Sequence, residues 1–273
     1  MKIKSLAMLA ALFALVGCTL PNKPIPSPTP VATGITGNWE IALYSTKYGV
    51  QYPFGIYLTQ SGSTVSGVGS WVGEAFPLYC PAQGPCGGYP FSILNPNLVG
   101  TVGTDGSIVL TSTIPASNPV VLSINASAPN NNTLSGTFAI TSPTPVDQGP
   151  VTGTMVAPLN GTYAGTLVSS VTGNSIGVTT TLNQSGPNSS GILEYSGSAS
   201  FTGVYCIGSV TVPASGNFFG DQLTIDLLPA NIPHSGIYLT GTISPDAKTI
   251  AVNYGSVSSS CSDDYATGTL TLQ

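Results

Sequence analysis

The sequence predicts an all-β protein made of two tandem repeats, each an antiparallel up-and-down β-barrel of about eight strands. Three observations predict this architecture. Gly37 recurs at Gly161 and Leu58 at Leu182, both at a shift of 124 residues (161 − 37 and 182 − 58). Short runs alternate between apolar and polar residues, and turn residues such as 130–132 separate the runs. A constant internal period indicates one unit written twice, and regularly spaced strands between turns are typical of barrels and sandwiches.

The repeat defines the domain organisation. Trp39 matches Tyr163, and Trp71 matches Tyr195, again at the shift of 124 residues (163 − 39 and 195 − 71). Since the ends of the two copies also match, we expect a first repeat over residues 35–158 and a second over 159–273. Each is close to the common size of a domain.

Alternation of residue types predicts the strands. In the first repeat Trp39, Ile41 and Leu43 alternate with more polar neighbours, and residues 223–227 of the second repeat do the same. A period of two places one face of each strand in a core and the other in water. Closure into a barrel removes both sheet edges. This favours barrels over two immunoglobulin-like or lectin-like sandwiches, the alternative, because the chain has few lysines to protect open edges.

Charge is scarce in this chain. Its 273 residues include five Lys, no Arg, one His and ten acidic residues, which gives a formal net charge of −5. So few cationic side chains cannot form the basic patch that binding of nucleic acid requires. Abundant Val, Thr, Tyr and Gly with few charges instead fit an exported β protein.

The N-terminus has the pattern of an export signal. Lys2 and Lys4 precede an apolar run from Leu6 to Val16, which is too short to span a bilayer (about 20 residues) and suits a signal peptide over 1–17. The run ends in Leu15-Val16-Gly17-Cys18, which resembles the lipobox of bacterial lipoproteins. This resemblance implies cleavage before Cys18, a diacylglycerol on its sulfur and a third acyl chain, such as palmitate, on its new amino group.

Lipid and tether together predict a location. Several acyl chains hold a protein firmly at a membrane, whereas one binds marginally. Thr19 follows the cysteine, and by the enterobacterial sorting rule this resemblance implies the outer membrane. Residues 18–34 are rich in Pro, so we expect an extended tether of about 3.1 Å per residue between lipid and folded body.

The start of the folded body resembles a known barrel group. Ile35-Thr36-Gly37-Asn38-Trp39 is similar to the first strand of streptavidin-type chains, and the eight-strand pattern resembles the calycins, which include lipocalins and avidins. The resemblance implies the barrel shape. It does not extend to biotin, because biotin sites of that family are walled by several Trp residues and this chain has two.

The remaining cysteines predict disulfides. Four cysteines besides Cys18 occur in the exported body: Cys80, Cys86, Cys206 and Cys261. Three pairings are open; pairing within each repeat, 80 with 86 and 206 with 261, is preferred. With one His in the chain and no closely paired Cys, we expect no metal site.

One motif has the appearance of a catalytic site. Residues 173–177 fit Gly-x-Ser-x-Gly around Ser175, and Asp221 or Asp226 and then His234 follow in hydrolase order. A nucleophile elbow requires a strand-to-helix turn, whereas here the motif lies between two β runs, so chance occurrence is the preferred interpretation. His234 is interpreted as a solvated turn residue.

The acidic residues offer no clear carboxylate pair. Asp263 and Asp264 are adjacent in a predicted loop, and strand neighbours point to opposite faces, so they would not flank one bond. Glu40, Glu74 and Glu194 are explained by solvated faces. No phosphate loop, dinucleotide fingerprint or calcium loop occurs, so no cofactor is expected.

Three functional hypotheses remain. The first is a non-enzymatic envelope lipoprotein with a structural or interaction role, bound to the membrane through its lipid. The second is a lipocalin-like module that binds a small apolar molecule or a glycan, with aromatic candidates at Trp39, Trp71, Tyr163 and Tyr195; core packing is the competing explanation for these four. The third, and least favoured, is an envelope serine hydrolase using Ser175. Barrel interiors filled by side chains would argue against a ligand inside.

Overall fold

The structure is a computed structural model of the chain. It describes residues 34–71, 97–114, 119–128, 130, 132–142, 144–188, 192–205, 207–227, 235–258 and 261–273. The predicted signal peptide, the predicted lipidation site Cys18 and nearly all of the predicted tether lie outside the described residues, so the structure does not bear on them.

The described residues form sixteen β-strands. The first eight, β1 to β8, are Gly37–Tyr44, Gln51–Ser61, Thr64–Trp71, Asn97–Val102, Ser107–Ile114, Val120–Ser127, Thr133–Ser142 and Thr144–Val156. The second eight, β9 to β16, are Asn160–Ser169, Ser175–Pro187, Leu193–Val204, Gly208–Phe219, Gln222–Leu227, Ser235–Ile243, Thr249–Ser258 and Cys261–Leu272. Within the described ranges there is no helix long and apolar enough to span a membrane.

Both sets of strands close into barrels. Each strand pairs antiparallel with its neighbour in sequence, β1 pairs also with β8, and β9 pairs also with β16. The predicted fold, two tandem up-and-down barrels of eight strands, is therefore confirmed. The sandwich alternative is wrong, because the pairing of first and last strands leaves neither sheet with the open edges that a sandwich would have.

The repeat is visible in strand register. Glu40 faces Gly55 between β1 and β2, and Ala164 faces Thr179 between β9 and β10. Both pairs are related by the shift of 124 residues found in the sequence (164 − 40 and 179 − 55). The first hairpins of the two barrels are therefore structurally equivalent, residue by residue.

Equivalence at the shift of 124 ends after the second strand. Phe54 faces Trp71 in the first barrel, whereas Val178, the counterpart of Phe54, faces Phe201 in the second. The structural counterpart of Trp71 is thus Phe201, and the sequence match to Tyr195 is wrong at this position. The reason is loop length: β2 and β3 are joined by a tight hairpin, while the β10–β11 connection is longer and moves the register.

Alternate residues of every strand fill the barrel interiors. The described apolar residues that face inward form one buried cluster in each barrel. Trp39, Ile41 and Leu58 are fully buried, and Phe138 is 2% exposed. Complete burial of an apolar side chain stabilises a fold by about 1.5–3 kcal/mol, so these clusters account for much of the stability of each barrel.

A buried Ser–Asp hydrogen bond closes each barrel. Ser45 Oγ donates to Asp147 Oδ1 at 2.8 Å, and Ser169 Oγ donates to Asp264 Oδ1 at 2.8 Å. In both barrels the serine lies at the end of the first strand and the aspartate on the last, so each bond crosses the point of closure. An intramolecular hydrogen bond contributes about 0.5–1.5 kcal/mol of net stability.

This bond corrects one prediction. Asp263 and Asp264 were expected in a loop, but both belong to strand β16. Their side chains do point to opposite faces, as strand geometry requires: Asp263 is exposed and Asp264 is completely buried. Two adjacent carboxylates ordinarily face solvent, whereas the structure buries one of them against a serine hydroxyl.

Candidate functional site

The aromatic candidates for ligand binding lie inside the barrels. Trp39 and Tyr163 are fully buried and Tyr195 is 3% exposed. Their polar atoms donate to backbone carbonyls: Trp39 Nε1 to Ile35 at 2.8 Å, Tyr163 Oη to Ala247 at 2.8 Å and Tyr195 Oη to Thr224 at 2.6 Å. Burial raises the pKa of Tyr163, with a smaller contribution from Asp246. This geometry favours core packing over ligand contact. The side chain of Trp71 lies outside the described part of the chain.

The structure does not test the predicted disulfides. Cys80, Cys86 and Cys206 lie outside the described residues. Cys261 begins β16, where its backbone pairs with Ser258, but its side chain is not described. The two disulfides therefore stay a prediction.

The Gly-x-Ser-x-Gly motif is part of a β-hairpin. Ser175 is exposed and begins strand β10, directly after the turn that follows β9. No helix follows this serine, so the strand-to-helix geometry of a nucleophile elbow is lacking at this position. Asp221 lies in the turn between β12 and β13, and His234 and the side chain of Asp226 are outside the described residues. The described residues contain no group of three or more His, Cys, Asp or Glu side chains placed to hold a metal ion.

The distinctive site of the molecule lies between the barrels, and we call it the seam. It consists of Asn38, Glu40 and Gly55 on the outer face of the first barrel and of the turn 219–221 of the second. Asn38 Nδ2 donates to the Gly220 carbonyl at 2.7 Å, and the Gly220 amide donates back to Asn38 Oδ1 at 2.9 Å. Asn38 is 4% exposed although it points away from its own core, so the second barrel covers it.

Close packing of backbone accompanies these hydrogen bonds. A Cβ atom built on Gly55 would overlap the carbonyl carbon of Phe219 and would stand 2.5 Å from the Gly220 nitrogen. Gly220 has a φ of +55°, a left-handed conformation that glycine adopts without strain. Position 55 therefore requires glycine for the turn to approach, and position 220 requires it for the turn to form.

Two carboxyl groups meet at the seam. The amide of Asp221 donates to Glu40 Oε2 at 3.4 Å. Burial, and secondly the charge of Asp221, raise the pKa of Glu40 from 4.5 to about 8, while the Asp221 amide opposes the shift. Burial likewise raises the pKa of Asp221. Glu40 thus holds a proton at neutral pH, since the low-polarity surroundings and the neighbouring carboxylate both disfavour its charged form.

Sequence reasoning missed the seam. Glu40 was assigned to a solvated face, and Asp221 was considered only as a triad acid; the structure corrects the first assignment, because the second barrel covers Glu40. The signal available was a difference between the repeats. Asn38, Glu40 and Gly55 correspond to Thr162, Ala164 and Thr179, and these differences coincide with outward positions of equivalent strands.

A groove lies beside the seam. Outward residues of β2, β3 and β4 form one wall, and Pro187 and Asn188 of the second barrel form the other; the volume is about 440 Å³. Tyr57, Thr59, Ser66 and Asn97 line the first wall, and no charged side chain is among the lining residues. Tyr57 also packs against the hydrophobic cluster of the second barrel.

Comparison with known proteins identifies no family. No protein-family model and no curated protein matches the chain. Among solved structures it is similar to a protein of unknown function from the DUF3598 family of Nostoc punctiforme, with 10% identity over 87% of this chain and 96% of that one, at a TM-score of 0.27.

Two further solved structures show likeness at the same level. One is the vaccine antigen transferrin-binding protein B from Haemophilus parasuis, in a double-mutant form (10% identity, 81% of this chain, 60% of that one, TM-score 0.25). The other is kievitone hydratase from Nectria haematococca (12% identity, 87% and 89%, TM-score 0.24). This chain spans less than two thirds of the antigen's length. Such low scores carry no argument about function.

Proposed function

We propose that this protein is a lipid-anchored bacterial envelope lipoprotein of the outer membrane, with a structural or interaction role that involves no catalysis. The observation that carries the proposal is the packing of the barrel interiors. Because large side chains such as Trp39 and Phe138 occupy the interior of the first barrel and Tyr163 that of the second, recognition would take place on the outer surface. The lipobox at 15–18 and the Pro-rich tether support the anchor.

Replacing the lipidated residue tests the anchor. We expect Cys18→Ala to abolish incorporation of an alkyne-tagged palmitate and to move the protein from the membrane to the soluble fraction, because the acyl chains supply the membrane affinity. Cys80→Ala is the matched control and should retain both label and membrane association. Labelled, membrane-bound Cys18→Ala protein would contradict the proposal.

The groove beside the seam supports a second candidate, a binding module for a neutral glycan. Its volume falls in the usual range for small-molecule sites, about 300–1,000 Å³. The ring of Tyr57 offers an apolar face to a sugar, and Thr59, Ser66 and Asn97 offer hydroxyl and amide groups. The absence of charge among its lining residues favours a neutral ligand over an acidic one.

Blocking the groove tests this candidate. With a panel of neutral oligosaccharides of two to four sugars, calorimetry should detect binding to the wild-type protein and none to Ser66→Trp, since the indole would fill the groove. Ser135→Trp places the same bulk at an exposed position of β7, away from the groove, and should bind as the wild type does. The glycan hypothesis fails if no oligosaccharide binds or if both variants bind equally.

A further inference from the structure

The seam buries polar groups that a free barrel would leave in water. Asn38 and Glu40 point outward from β1, alternating with the inward Trp39 and Ile41. They are covered because the β12–β13 turn of the second barrel lies on them. In the docked state these groups exchange their hydrogen bonds to water for bonds to the turn, so docking depends on how well the turn replaces water at these few side chains.

We propose that the seam is a proton-dependent clamp, in which Asn38 and protonated Glu40 hold the 219–221 turn, and that deprotonation of Glu40 beside Asp221 separates the two barrels. The clamp goes beyond the proposed function and does not depend on it. Its geometric basis is the reciprocal pair of hydrogen bonds between Asn38 and Gly220, the contact of Gly55 with the turn, and the two carboxyl groups brought together there.

Among the described residues, one charged side chain acts on Glu40 from the elements packed against it. The paired strands place Gly55 of β2 and Thr154 of β8 opposite Glu40, and Tyr57 lies on β2 opposite Asn38. The β12–β13 turn contributes Asp221, followed by Gln222, which donates to Asp221 Oδ1 at 2.6 Å. Asp221 is thus the charged neighbour that acts on Glu40.

The lysines of the described residues make contacts elsewhere. Lys47 donates to the Val146 carbonyl at 3.0 Å, and Lys248 pairs with Asp246 at 3.5 Å. A cation that would stabilise both ionised carboxylates is therefore not contributed to the seam by either of these side chains.

The sign of the pH dependence follows from the pKa of Glu40. Burial and the charge of Asp221 raise this pKa from its ordinary value of 4.5 to about 8 in the docked structure. Separation would expose Glu40 to water and return its pKa toward the ordinary value, so between these values the docked state binds more protons than the separated barrels. The equilibrium constant for docking is therefore largest below about pH 4.5. It falls by up to about tenfold for each pH unit as pH rises and becomes constant above about pH 8. The raised pKa of Asp221 acts in the same direction at the acidic end of this window.

The second barrel lacks these features at the equivalent positions. Thr162, Ala164 and Thr179 replace Asn38, Glu40 and Gly55. Neither the amide clamp nor the titrating carboxyl is present there, and a threonine stands where close approach requires glycine. The clamp is therefore a property of the contact between barrels and not of the barrel unit.

Opening of the clamp would alter the groove. One wall of the groove belongs to the first barrel and the other to Pro187 and Asn188 of the second. The walls keep their spacing only while the barrels are docked, so the groove would be assembled on the acidic side and lost as pH rises.

Hydrogen–deuterium exchange of the full-length protein tests the clamp. The amides of Gly220 and Asp221 donate to Asn38 and Glu40 of the other barrel, so the exchange of these two amides, resolved from overlapping peptides, reports docking directly. Their protection factor, corrected for the intrinsic exchange rate at each pH, should fall by up to about tenfold per pH unit from pH 5 to 8. Glu40→Gln should remove this dependence and keep protection at pH 8 at or above the wild-type value.

Two further variants make the test decisive. Asp263→Asn removes an exposed carboxylate outside the seam and should retain the wild-type slope. Asp221→Asn removes the neighbouring charge and should lower the pH at which the fall in protection levels off, since burial alone then raises the pKa of Glu40. This variant decides the matter if Glu40→Gln fails to fold, as judged from exchange of the peptide 249–256. A flat wild-type profile, a wild-type slope in folded Glu40→Gln, or a profile in Asp221→Asn that levels off at the same pH as the wild type would overturn the proposal.

Discussion

Replacing Trp39 with alanine is expected to lower the free energy of unfolding of the first barrel by about 3–5 kcal/mol, the usual cost of deleting a large buried aromatic side chain. Trp39 is fully buried, and its Nε1 donates to the Ile35 carbonyl at 2.8 Å. The variant loses both the packed volume and this hydrogen bond, which ties the start of the folded body to β1. Urea unfolding followed by far-UV circular dichroism measures the loss.

Two controls define the meaning of this result. Tyr44→Ala truncates an aromatic residue on the same strand that is 46% exposed, and its effect should stay within about 0.5 kcal/mol. Trp39→Tyr introduces the residue found at the equivalent position 163 and should cost less than alanine. If Trp39→Ala destabilised no more than Tyr44→Ala, the interior would not be a packed core, and an internal ligand would again be the better hypothesis.

Replacing Gly55 with threonine is expected to separate the barrels at every pH. A Cβ atom at position 55 would overlap the backbone of Phe219. The turn that contains these backbone atoms is fixed between strands β12 and β13, so they have little freedom to move. Exchange protection of the Gly220 and Asp221 amides should therefore fall to the level of an unstructured segment, while protection within the strands of each barrel is retained. The same exchange measurement gives both quantities in one experiment.

The matched control is the reverse change in the other repeat. Thr179 occupies the position equivalent to Gly55 in the second barrel, so Thr179→Gly should leave protection of the Gly220 and Asp221 amides within twofold of wild type. Retained protection in Gly55→Thr would show that the seam does not hold the barrels together, and it would also remove the basis for the proton-dependent clamp.

Carboxyl groups show where sequence reasoning reached its limit. Alternation placed Glu40 correctly on a strand with its side chain outward, and an outward carboxylate is normally solvated. Asp264 was assigned to a loop. Both assignments failed because another part of the chain, distant in sequence, covers the group: the 219–221 turn over Glu40, and Ser169 against Asp264. The local residue pattern carries no information about burial by segments that are distant in the sequence.

The aromatic residues illustrate the same limit for the candidate site. Trp39, Tyr163 and Tyr195 were identified in the sequence both as candidate ligand contacts and as core residues, and the sequence favoured core packing without deciding the matter. The tertiary structure decides it, because it buries these side chains and places backbone carbonyls where they accept hydrogen bonds from their polar atoms. No sequence motif marks the seam. Its residues differ only in type from those at the equivalent positions of the other repeat.

The sequence by itself determined the all-β class, the duplication and the placement of most strands, because alternation and an internal period are local properties that each segment carries. Only the tertiary structure decided that β1 pairs with β8 and β9 with β16, that Trp71 corresponds to Phe201, and that Asn38 and Glu40 lie under the second barrel. The physical reason is that strand pairing, loop-dependent register and contact between barrels join residues far apart in the chain. Their free energies depend on the assembled geometry and not on the pattern of any one segment.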